Sequence, residues 1–142
     1  MSYIDGFVLA VPTANKQKFL DHAGKADALF IEQGALRVLE CWGDDVPVGQ
    51  QTDFRRAVQA RDDETVVFSV VEWPDKATRD SAVEKMMKDP RMDPQKNPMP
   101  FDGKRLIYGG FKPILELGDD SHAQAKAGAK KASGNTAASQ RH

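Results

Sequence analysis

Apolar residues fall into four dense runs, separated by two segments with a helical repeat and by polar stretches rich in Pro and Gly. Residues 3–11 are β-branched, aromatic and aliphatic apart from Asp5 and Gly6, and end at Pro12, which predicts a first strand. Thr13 and Asn15 are helix-capping types. After them Phe19, Ala23, Ala26 and Phe30 share one stripe at about 100° per residue, so a helix is expected to Gln33. Gly34 is placed to end it in a left-handed conformation. A second strand follows over residues 35–43, with Leu36, Val38, Leu39, Cys41 and Trp42. Residues 44–63 read as loop, with one short amphipathic piece at Phe54-Arg55-Arg56-Ala57-Val58 and a turn at Asp62-Asp63-Glu64. Residues 65–73 are the most β-like run. Asp75 caps a second helix that carries Val83, Met86 and Met87 on its apolar side and ends at Asp89-Pro90. A proline-rich loop leads to a fourth strand over residues 106–117, bent near Gly109-Gly110 and Pro113.

Strand, helix, strand, strand, helix, strand is the ferredoxin-like βαββαβ order, an α+β fold with an antiparallel four-stranded sheet and both helices on one face. The other face should then be polar, and the strands should alternate. They do not: in residues 3–11, Phe7, Leu9 and Val11 point one way while Ile4, Val8 and Ala10 point the other. Both faces need cover, and the helices supply one. A second copy of the chain, sheet against sheet, is the expected second cover, giving a homodimer of the dimeric α+β barrel kind.

Composition narrows the classes. The chain has 20 basic and 21 acidic residues, a formal charge of −1, so no overall field draws it to nucleic acid or acidic lipid. One cysteine excludes an intrachain disulfide and a cysteine zinc cage. The start lacks the basic and apolar regions of a signal peptide, and no apolar run approaches the roughly 20 residues that span a bilayer, so a cytoplasmic location is expected. Residues 121–142 hold no apolar side chain larger than alanine, so residues 119–142 are expected to form a disordered tail, leaving a single domain over residues 1–118. The four tail cations, Lys126, Lys130, Lys131 and Arg141, would serve nucleic acid or a partner only weakly; a solvated appendage is the simpler reading.

Four stretches carry a resemblance: Tyr3-Ile4-Asp5-Gly6-Phe7-Val8, Glu40-Cys41-Trp42-Gly43-Asp44-Asp45, Asp63-Glu64-Thr65-Val66-Val67-Phe68-Ser69, and the long run Met99-Pro100-Phe101-Asp102-Gly103-Lys104-Arg105-Leu106-Ile107-Tyr108-Gly109-Gly110-Phe111. They resemble the DUF1428 family, the YbaA-like group of small bacterial proteins of unknown function. The resemblance extends to about Gly118. It implies a ferredoxin-like dimeric α+β barrel and brings no activity and no catalytic residues.

Candidate chemistry is sparse. His22 is the only histidine before the tail; it sits beside the buried stripe, and sequence offers it no orienting partner as a general base. Cys41 reads as a small buried hydrophobe. The acidic pairs near residues 44 and 62 fit turn chemistry better than a metal site, and no cofactor or metal is expected. Arg105 and Tyr108 are the expected ligand contacts, with Trp42 and Phe54 as walls and His22 as a further candidate. Their odd separation puts Arg105 and Tyr108 on opposite strand faces unless the chain bends at Gly109-Gly110. The expected function is a small-molecule pocket between sheet and helices. The alternatives are a non-enzymatic ligand- or partner-binding dimer and, on the basic tail, RNA association.

Overall fold

The computed structural model describes residues 2–118. Residues up to Lys112 form one compact unit. Strands β1 (Tyr3–Pro12), β2 (Arg37–Trp42), β3 (Glu64–Trp73) and β4 (Ile107–Phe111) make one sheet in the order β2-β3-β1-β4. All three pairings are antiparallel. Helices α1 (Lys16–Glu32) and α3 (Lys76–Met87) supply the side chains over one face, and the four-residue helix α2 (Phe54–Ala57) belongs to the β2–β3 connection. This is the ferredoxin-like α+β arrangement.

Local signals set the helix ends. Asp75 caps α3 by accepting the Thr78 backbone N–H at 2.7 Å. Gly34, after α1, adopts φ +111°, a left-handed value that side chains rarely tolerate. Asn15 precedes α1 without a capping bond; its amide instead donates to the Pro100 carbonyl at 3.1 Å, tying the start of α1 to the loop before β4.

The core lies between the sheet and α1 with α3. Tyr3, Val71, Trp73, Ala82 and Phe30 pack at one end, and Leu9, Val11, Phe19, Ala23 and Val67 at the other. The second face is partly covered from within the chain: Val58 and Ala60, just after α2, pack on Ala10, Val66 and Val8. That corrects the expectation that no local element reaches this face. The rest of it stays open, with Leu39, Phe68, Ile107 and Phe111 exposed.

Several further expectations change. The fourth strand stops at Phe111, two residues before Pro113, and begins after a 3-10 turn at Gly103–Arg105. Cys41 is exposed because it faces the open side of an edge strand. Met86 is buried, whereas Met87 is exposed. Glu64 is no turn residue: it opens β3, buried. Residues 113–118 form neither helix nor strand. The expected tail, residues 119–142, lies outside the described residues.

Candidate functional site

Strand register lines up four residues across the helix-covered face. Tyr108 of β4 stands opposite Phe7 of β1, Phe7 opposite Ser69 of β3, and Ser69 opposite Glu40 of β2. The row runs from aromatic to polar. Tyr108 stacks on Phe7 with ring centroids 6.1 Å apart. At the other end the Ser69 hydroxyl donates to Glu40 Oε1 in a short hydrogen bond. Ser69 is buried, so this bond satisfies a hydroxyl with little access to water.

Asp27 of α1 completes the polar end. Burial, a hydrogen bond with the Glu40 carboxyl and the charge of Glu40 together push its pKa up to about 9. Two carboxyl groups this close in weakly polar surroundings hold a proton between them. They stand in the wall of a half-enclosed cavity of about 240 Å³, otherwise lined mainly by Phe7, Leu9, Phe19, Phe30, Phe101 and Leu106.

His22 lines the same cavity. Its Nδ1 lies 3.1 Å from Asn97 Oδ1, while Asn97 Nδ2 donates to the His22 carbonyl at 3.2 Å. That second bond fixes the amide, so Oδ1 accepts and Nδ1 carries the hydrogen. The ring meets Phe101 edge-on at 5.8 Å. Asn97, distant in sequence, is the orienting partner that sequence alone does not offer.

A second cavity, of about 320 Å³, adjoins the first, with Phe7, Phe30 and Met92 common to both. Tyr108, Gly109, Gly110, Met86 and Arg79 line it. Arg79 is held by Asp5: Nε reaches both carboxylate oxygens at 3.2 Å, and Nη2 reaches Oδ1 at 3.1 Å. The Trp73 indole N–H donates to the same carboxylate at 2.9 Å. Asp5 is thereby fully engaged as the buried counter-ion of α3.

The five sequence-selected residues are therefore dispersed. His22 lines the first cavity and Tyr108 the second. Trp42 lies at the far edge of the sheet from Tyr108, under the Lys16 ammonium at 5.4 Å. Phe54 belongs to the other face, edge-on to Phe68 at 6.2 Å. Arg105 lies in the turn before β4 and is closed onto Glu64 and Asp102. The bend expected to bring Arg105 and Tyr108 together is a turn upstream of the strand, and these two residues line different pockets.

Asp27, Glu40 and Ser69 are not among the five sequence-selected candidates, yet a signal exists. Glu40 sits between Val38 and Trp42, and Ser69 between Val67 and Val71, so both interrupt an inward-facing alternation. Asp27 stands four residues after Ala23 of the buried stripe. Polar residues at inward positions on three elements are the mark of a buried polar cluster.

A family model described as "Protein of unknown function (DUF1428)" matches residues 2–103. The chain is 56% identical over 116 residues to the uncharacterized protein YbaA of Escherichia coli K12, covering 82% of this chain and 99% of that protein. The YbaA of Shigella flexneri matches at the same identity and coverage. Among solved structures, a dimeric ferredoxin-like protein from an uncultured marine organism superposes with a TM-score of 0.52 at 11% identity, over 82% of this chain and 98% of that one. At that identity the likeness bears on fold alone.

Proposed function

The chain belongs to the DUF1428 family, and from that premise we propose that it is a homodimeric small-molecule protein whose ligand occupies the cavity between α1 and the sheet. One observation carries this reading: an apolar, half-enclosed cavity with a few polar groups, Asp27, Glu40, Ser69 and His22, gathered in its wall. Binding sites commonly combine an apolar lining with a few placed polar groups. Two carboxyl groups without a neutralising cation in the lining are a costly feature to keep in a core that needs only packing.

Dimerisation is supported by the open second face. Leu39, Phe68, Ile107 and Phe111 expose large apolar surface on one side of the sheet, away from the cavity. The dimeric state of the marine ferredoxin-like protein agrees with this reading.

The test is native mass spectrometry of the protein as purified, with released metabolites identified. An apolar small molecule should accompany the chain and be lost in Ala26→Phe, which places a ring in the cavity. A ligand retained by that variant with the fold intact would place the binding site elsewhere.

A further inference from the structure

Asp27 and Glu40 come from different elements, α1 and an edge strand, and meet at the wall of the first cavity. Ser69 donates to Glu40 Oε1, and Asp27 is the carboxyl that burial and the neighbouring Glu40 keep protonated. Asp27 then holds the shared proton. The ionisable side chains of this cavity are His22 and Asp27 on α1 and Glu40 on β2; Ser69 comes from β3, and the turn and loop before β4 add Met92, Phe101 and Leu106. No Lys or Arg lines it among the described residues. An anionic ligand would meet the carboxylate with no cation to offset it, so the cavity favours a neutral molecule.

A neutral apolar ligand beside one carboxylate and one carboxylic acid faces a base and an acid together. Resting on the small-molecule reading above, we propose that this cavity is a proton-transfer site for small, neutral, largely apolar carbonyl compounds, with Glu40 as base and Asp27 as acid. Glu40 takes a hydrogen from the carbon next to the carbonyl. The C–H electron pair becomes the carbon–carbon double bond of an enol, and the carbonyl oxygen takes the proton from Asp27. Glu40 is then protonated and Asp27 ionised, so the pair still holds one proton. In the return step Glu40 delivers its proton to carbon and Asp27 recovers the enol hydrogen. Return to the same carbon exchanges hydrogen with solvent, and return to a conjugated carbon shifts a double bond. Nothing is oxidised or reduced, and no co-reactant is consumed. Ser69 is a positioning residue that acts through Glu40.

The experiment uses the full chain in deuterium oxide at neutral pH with β-tetralone as probe. Proton NMR follows loss of the α-hydrogens, and saturation-transfer NMR reads binding separately. The expected result is exchange about 10²–10⁴-fold above the protein-free rate. Glu40→Gln and Asp27→Asn should each return the rate to background while the probe still binds, and Ser69→Ala should lower it less. Binding without exchange in the parent protein overturns proton transfer and leaves the cavity reading standing. No binding takes down both. Benzylamine binding in place of the ketone also overturns the proposal, because the pair would then be a cation site. The parent measurement decides even if a variant fails to fold.

Discussion

Arg105 closes on Glu64 through two parallel hydrogen bonds, Nη1 to Oε1 at 2.8 Å and Nη2 to Oε2 at 2.7 Å. The same guanidinium donates to the Gln59 carbonyl at 2.8 Å and, through Nε, to Asp102 at 2.9 Å. One side chain thus joins the turn before β4 to the start of β3 and to the chain just after α2. The Glu64 side chain is only 4% exposed, so its charge depends on this partner.

The pair fixes an acid limit of stability. Arg105, with burial opposing it, holds the Glu64 pKa down at about 2. A lowered folded-state value contributes stability that is complete above the unfolded glutamate value of about 4.3. It should be lost as pH falls through that value toward 2. Thermal melts over this range should show the parent losing stability more steeply than Glu64→Gln. At neutral pH Glu64→Gln should be less stable by about 2 kcal/mol. A variant as stable as the parent would show that the pair contributes nothing.

Asp27 has the opposite sign. Its folded value is raised to about 9, so the folded chain carries a proton that the unfolded chain releases above about 3.8. That linkage lowers stability progressively as pH rises from about 4 toward 9. Asp27→Asn keeps the shape and can donate to Glu40 without holding a titrating proton. It should melt higher than the parent at pH 8, by an amount on the order of 2 kcal/mol, and the two should converge near pH 4. Equal melting at both pH values would show that the proton is not held.

Gly110 has its own test. A Cβ built there would collide with the Arg79 guanidinium and the Tyr3 hydroxyl, which belong to the buried network around Asp5. Gly109 would meet only the Phe111 ring, at an ordinary 3.5 Å. Gly110→Ala should therefore destabilise by about 1–3 kcal/mol, and Gly109→Ala by much less, in paired urea melts. Equal effects would assign both glycines to strand flexibility instead.

These residues show what the sequence discloses. Gly34 and Asp75 act on chain neighbours, so one residue type at one position announces the helix end. The strand order follows from periodicity for the same reason. Arg105 and Glu64 lie 41 residues apart, and neither alone says which will be buried with the other. Arg105 was therefore legible as a notable cation and not as half of an ion pair. Cys41 and Met87 have core-type side chains, and their exposure follows from an edge strand and a helix face that only packing fixes. The Asp27–Glu40 pair needs both the strand register and the seating of α1, neither of which is a local property.

Phe68 is 44% exposed, Ile107 45% and Phe111 61%, and all three point away from the helices. Phe54 stands edge-on to Phe68 and is itself half exposed, so it extends the same apolar surface. Val58 and Ala60 cover only the part over Ala10 and Val66. A contiguous apolar surface of this kind is removed from water most simply by a second copy related by a two-fold axis, since each copy then meets the same residues on the other. Light scattering at micromolar concentration should report twice the 15.7 kDa chain mass. Phe68→Glu combined with Ile107→Glu would bury two carboxylates per copy against like charges, and should give a folded species of single-chain mass. Because the cavity lies on the opposite face, ligand binding should survive in that species. A parent protein that is monomeric under these conditions would rule out the sheet-face dimer.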